Sequence, residues 1–221
     1  MNKMANKEKI TRHSPLVRLI HWSVVFSTFT LILSGMFQLP LAKRYFIDQI
    51  PGLTWSSNYR VTVMLHYIAA LVLLSAVSFH VVYHLIRKEF NLLPRKGDLR
   101  ESYLIIKSMF GFGEEPKSDK YLAEQRLAYV YMAFSFFLII VTGIIKIIKN
   151  LPSVTLSDGF LDWTTNIHNL ATFMIIFGII AHLGAFVIKA NWPLLPSMFT
   201  GKVDLEYVKH RHSKWYEKLQ K

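Results

Sequence analysis

Four long apolar stretches separated by polar segments dominate the pattern of this chain. They run from about Val17 to Leu39, Val61 to Ile86, Leu127 to Ile148 and Ile167 to Ile188. At about 1.5 Å of rise per residue, each is long enough to cross roughly 30 Å of hydrocarbon as a helix. Pro40 and Pro51-Gly52 break the chain after the first stretch, and Pro152 and Asp158-Gly159 after the third. Trp22, Trp55, Tyr59, Trp163 and Trp192 fall near the ends of the stretches, where amphipathic rings favour the membrane interface. The pattern predicts an all-α integral membrane four-helix bundle forming a single domain over residues 1–221, with spans at about 17–39, 61–86, 127–148 and 167–188. A loop over 87–126 and a tail over 189–221 complete it.

Composition supports a membrane class: 52% of the 221 residues are hydrophobic and only 18% charged. With no Cys, the chain has no disulfide, Cys-ligated zinc, protein-bound iron–sulfur cluster or covalently attached haem. The net charge of +12 sits beside apolar segments and so points to a membrane surface rather than to nucleic acid. Met1 to Arg18 is basic and lacks a small-residue cleavage site, and the apolar run after it is too long for a signal-peptide core, so the segment reads as retained. Of the 26 Lys and Arg, 21 lie in the N-terminal segment, the 87–126 loop and the tail. With an even number of spans, the positive-inside rule places both termini in the cytoplasm.

Within the long loop, residues 98–113 (DLRESYLIIKSMFGFG) read either as a short interfacial helix or as an ordinary loop with a partly buried turn. The tail reads as solvated, or as docking on lipid headgroups or a partner.

The informative residues are the histidines. Six of nine lie in or at the edges of the spans: His21, His66, His80, His84, His168 and His182. Ionisable groups are expensive in hydrocarbon and usually have a partner in the bundle interior. His168 and His182 are 14 residues apart, as are His66 and His80. On a helix that spacing leaves an offset of about 40° and a rise of about 21 Å, so each pair shares a face at two depths. His21, near the start of the first span, matches the inner level. Gly35 and, on the third span, Gly143 match the outer one. Glycine there would admit a porphyrin close to the backbone, or would simply serve a helix–helix contact. Haem fits this layout best, because imidazole is a good axial ligand and a bundle interior suits the apolar macrocycle. Zinc or copper would need three or four ligands converging at one point.

Arg18-Leu19-Ile20-His21-Trp22, followed by an apolar run to Ser34-Gly35, resembles the first helix of the cytochrome b (gamma) subunit of formate dehydrogenase-N and related di-haem anchors. Those relatives include the cytochrome b subunits of respiratory hydrogenases and thiosulfate reductases. The resemblance continues through Arg60 to His66, Tyr121 to Arg126, Ile140 to Gly143, His168 with His182, and Gly201 to Tyr216. It implies two haem b groups, the outer held by His66 and His168 and the inner by His21 and His182. It also implies a menaquinone or ubiquinone site beside the inner haem, against Tyr121, Ala123, Gln125 and Arg126. The family often has Asn and Gly where this chain has Leu122 and Glu124. Glu124 reads as an aid to proton uptake or as a surface carboxylate at a helix N-terminus. His80 offers a rival to His21 as an inner ligand. Arg18, one turn before His21, suits a haem propionate or membrane-surface snorkelling. His13, His210 and His212 lie in polar segments and read as solvated.

The resemblance implies an electron-transfer and quinone-reactive subunit of an oxidoreductase, without an independent catalytic site. Its partners would be an iron–sulfur subunit and a catalytic subunit on the outer face, besides quinone and membrane lipid. The rival from another class is a haem-free, His-lined transporter or proton channel. That reading predicts helix breakers in mid-span, and the spans carry no Pro.

Overall fold

The computed structural model describes residues 8–109 and 111–220; Met1 to Lys7 of the basic N-terminal segment, Phe110 and Lys221 lie outside them. Two compact units divide the chain, one over residues 14–88 and the other over the remaining residues.

The unit over 14–88 is a helical hairpin. Helix α1 (Pro15–Gln38) is started by Ser14, whose Oγ accepts the Val17 amide at 3.3 Å, and by Pro15, whose missing N–H costs nothing in a first turn. It stops before Pro40. A connection containing the short helix α2 (Leu41–Arg44) leads to α3 (Tyr59–Arg87). Asn58 Oδ1 caps α3 by accepting the Arg60 and Val61 amides, and Lys88 ends it in the left-handed region at φ 52°. Helices α1 and α3 pack through small residues: Ser27, Thr28 and Ser34 on one, Thr62, Ala69 and Ala76 on the other. Small side chains let the backbones approach, which supplies the packing that drives association in lipid. The hydroxyls are not orphaned, since Ser27 and Ser34 donate to the carbonyls of Ser23 and Thr30 at 2.7 and 2.6 Å.

The second unit contains α5 (Ala123–Ile148) and α6 (Asp158–Gly184), paired by the same device: Ser135 and Thr142 face Thr164, Ala171 and Gly178. A Cβ at Gly178 would run into the Met132 sulfur, and Tyr131 Oη donates to the Met174 carbonyl at 2.9 Å. Helix α6 starts at Asp158, well before the apolar run at Ile167, because Ser157 caps it and the polar segment between is helical too. Helices α1, α3, α5 and α6 (the last with its 3-10 extension to Val187) are each long and apolar enough to cross a membrane. Their outward positions carry Leu71, Phe137, Phe173 and Phe177, all largely exposed, as lipid-facing side chains would be.

The rest of this unit is a polar platform built from chain segments far apart in sequence. Strand β1 (Lys9–Thr11) pairs antiparallel with β2 (Lys202–Asp204), setting Ile10 opposite Val203. Helices α7 (Ser197–Thr200), α8 (Leu205–Arg211) and α9 (Ser213–Leu219) flank it, around a small core of Leu194, Val203, Val208 and Trp215. Residues 98–109 form helix α4 (Asp98–Met109), which buries Ile105 against Leu122 and Ala123. An ion pair locks α4 to α5: Arg126 donates to both Asp98 oxygens, at 2.7 and 2.5 Å, and both side chains are 3% exposed.

The tail is therefore not a solvated segment. His212, which its polar surroundings mark as solvated, is completely buried. Its Nδ1–H donates to the Asp119 carbonyl at 2.7 Å, and it packs against Tyr207 and Trp215. Burial first, then the Arg12 charge, lowers its pKa to about 4. Asp119 fastens the same junction by accepting from Lys218, the Lys120 amide and Arg95. Burial alone would raise its pKa, yet these bonds hold it at about 2.

Candidate functional site

The five histidines expected to matter most lie on three of the four long helices: His21 on α1, His66 and His80 on α3, His168 and His182 on α6. Because α3 and α6 run unbroken through their pairs, the 14-residue spacing gives a rise of about 21 Å on each.

His66 and His168 have closely matching surroundings. His66 Nδ1 lies 3.0 Å from Ser34 Oγ on α1, and His168 Nδ1 lies 2.9 Å from Thr142 Oγ1 on α5. Each hydroxyl has one proton and already gives it away, Ser34 to the Thr30 carbonyl at 2.6 Å and Thr142 to the Leu138 carbonyl at 2.7 Å. The hydroxyl oxygen must then accept from the ring, so the proton sits on Nδ1 and the lone pair on Nε2. An imidazole held in that tautomer, and oriented by a bond from its other nitrogen, is prepared to bind a metal through Nε2. A glycine follows each hydroxyl. A Cβ on Gly35 would lie 3.4 Å from His66 Cε1, and one on Gly143 would lie 3.7 Å from His168 Cε1. Both glycines thus adjoin a histidine within their own unit. Ser34 and Thr142 are candidate site positions that sequence reasoning did not assign, although the repeated hydroxyl–glycine pair was visible.

His21 sits one residue before Trp22, whose ring meets it edge-on with centroids 5.4 Å apart. Arg18 lies one turn earlier on α1. His182 contacts Phe186 at 6.0 Å, while His80 and His84 meet edge-on at 4.5 Å as neighbours one turn apart.

The residues implicated in quinone contact converge at the start of α5. Gln125 Oε1 accepts the Leu122 amide at 3.2 Å, closing the helix N-terminus. Arg126 is committed to Asp98 and, through Nη1, to the Tyr121 carbonyl at 2.6 Å. The Tyr121 ring lies under Arg12, whose guanidinium is also over Trp215, at 5.4 and 5.5 Å from the two centroids. Burial raises the Tyr121 pKa, the Arg12 charge partly opposing it. The segment is thus ordered and fastened, and among the described residues the only bond given for the Gln125 side chain is the one its Oε1 accepts.

Comparison with known proteins identifies the family. The family model for prokaryotic cytochrome b561 matches residues 12–201. The chain is 25% identical over 222 residues to the nitrate-inducible formate dehydrogenase cytochrome b556(Fdn) subunit of Escherichia coli (strain K12), covering 99% of this chain and 95% of that subunit. It is 23% identical over 221 residues to the formate dehydrogenase cytochrome b556 subunit of Haemophilus influenzae, covering 97% of this chain and 85% of that one. The chain belongs to the prokaryotic cytochrome b561 family.

Proposed function

We propose that this membrane cytochrome b subunit carries two b haems and passes electrons between an iron–sulfur partner, itself attached to a catalytic subunit, and membrane quinone. His66 and His168 would hold the outer haem, and His21 and His182 the inner one, with His80 the alternative to His21. The observation that carries this reading is the paired tautomer control, Ser34 on His66 and Thr142 on His168, which presents Nε2 as a ligand from two helices. Haem iron supplies one-electron exchange between its ferric and ferrous forms, and two imidazoles leave it no open position for oxygen.

The chain's own residues then orient the ligands, exclude water and position the quinone. Tyr121, Gln125 and Arg126 would frame the quinone head beside the inner level, with Arg18 reaching toward a propionate. The 21 Lys and Arg on one side of the predicted topology support a cytoplasmic side for the platform and both termini. Electrons would therefore arrive at the outer face while protons are taken from the cytoplasm, and that separation contributes to the membrane potential. The two relatives are formate dehydrogenase subunits by name, and formate is accordingly the first upstream substrate to test. Hydrogenase or thiosulfate reductase partners are the alternatives within the class.

The test is optical. Membranes containing the chain should show b-type bands on reduction with dithionite, and the same bands on addition of a quinol. Absence of those bands in haem-replete protein would remove the proposal.

A further inference from the structure

We propose that Glu124 is the proton-carrying side chain of the quinone-reactive site, loaded through the cleft beside Arg211; this rests on the quinone reading above. Glu124 lies in the first turn of α5, next to Gln125. Its Oε2 is buried and has no hydrogen-bond partner among the described residues. The Glu124 carboxylate accepts from its own backbone amide, as a carboxylate at a helix N-terminus does. The second oxygen, buried without a donor, is costly as an anion and much less so as an acid, and this suits a group that exchanges a proton.

The neighbouring charges leave that role open. Arg211, Glu115 and Arg126 act on Glu124 electrostatically. Arg211 is spent on Glu115 through Nε at 2.8 Å, and through Nη1 on the Ala190 carbonyl and Asn191 Oδ1, both at 2.6 Å. Arg126 is spent on Asp98. Both guanidinium groups are thus shared with another carboxylate, Arg211 Nη2 alone being buried without a hydrogen-bond partner among the described residues, and Glu115 opposes the pull of the two cations on Glu124. Arg211 also lines a cleft of about 290 Å³ together with Glu115, Lys117, Tyr207 and His210. His210 is exposed, so solvent protons reach the outer side of the Arg211–Glu115 pair.

Reducing a quinone to a quinol takes two electrons and two protons. Haem, when bound, would supply the two electrons one at a time. Glu124 gives a proton to one quinone oxygen, becomes a carboxylate, regains a proton from solvent in the cleft, and gives the second proton to the other oxygen. In the quinol-oxidising direction it takes the two hydroxyl protons in turn and releases each to the cleft.

The experiment follows quinol-driven haem reduction in membranes by stopped-flow absorbance, with decylubiquinol and menadiol as probes, across pH. Glu124→Gln keeps the shape and removes the exchangeable proton. It should slow the reaction by about 10²-fold while the dithionite-reduced spectrum stays that of the wild type, and Glu124→Asp should restore part of the rate. A wild-type rate and pH profile in Glu124→Gln would overturn this inference alone. No quinol-driven reduction in the wild type would remove the quinone reading and this inference with it. If Glu124→Gln loses haem altogether, the pH profile of Glu124→Asp decides: a displaced profile supports proton carriage, an unchanged one overturns it.

Discussion

Thr142 accepts a hydrogen bond from His168 Nδ1 at 2.9 Å while donating its own to the Leu138 carbonyl, and Ser34 accepts from His66 Nδ1 at 3.0 Å while donating to the Thr30 carbonyl. Two hairpins with different connections have arrived at one solution. A hydroxyl that has used its single proton on its own helix can only accept, so it sets which ring nitrogen offers a lone pair. The adjacent glycine leaves room for the ring.

Removing those hydroxyls should weaken cofactor retention without unfolding the hairpins. Thr142→Val keeps volume and Ser34→Ala loses little. Each should lower haem affinity by about 10- to 100-fold, measured by haem transfer to apomyoglobin, and should displace the midpoint potential of one haem only.

The glycines should respond in a graded way. A Cβ at position 143 meets His168 at ordinary contact distance, 3.7 Å, so Gly143→Ala should retain haem. At position 35 the first added carbon already sits 3.4 Å from His66 Cε1, and Gly35→Val adds two more. Haem content per chain, measured as the pyridine haemochrome, should fall in Gly35→Val and hold in Gly143→Ala.

The Asp98–Arg126 pair should be costly to break from one side. With both side chains 3% exposed, Asp98→Ala leaves a buried guanidinium with only the longer Glu101 ion pair at 3.8 Å, at a cost of about 3 kcal/mol. The Asp98 pKa is lowered, chiefly by the Arg126 hydrogen bond. Thermal unfolding in detergent should show the loss, with early proteolysis of the loop around α4.

Acid should loosen the platform in two stages. His212 titrates near the ordinary histidine value of 6.5 when unfolded but at about 4 when folded. The unfolded state therefore binds more protons between those values, and stability falls as pH drops through them. Asp119 is depressed to about 2 from 3.8, so its contribution of about 2 kcal/mol is present above pH 4 and lost as pH falls toward 2. Hydrogen exchange over residues 202–219 should accelerate below about pH 6. His212→Gln should remove the first stage and leave the second.

The four helices and the histidine layout are legible in the sequence because hydropathy and 14-residue spacing are local properties. The early starts of α5 and α6 are less so, since Ser157 and the Leu122–Gln125 cap act through single hydrogen bonds that hydropathy does not register. The platform is barely legible. Strand β1 finds its partner at the other end of the chain, and Val203, Val208 and Trp215 form a core without helical or strand periodicity. His212 lies in the polar run KHRHSKW, and only its tertiary contacts with Asp119, Tyr207 and Trp215 reveal that it is buried.

The most direct measurement is the haem-to-protein ratio of the purified chain and of its single-histidine variants, with redox titration to tell the two haems apart. The account predicts two haems in the wild type. His66→Ala and His168→Ala should lose the same one, and His21→Ala and His182→Ala the other. A chain without b haem, or one in which His66→Ala and His168→Ala affect different haems, would contradict it.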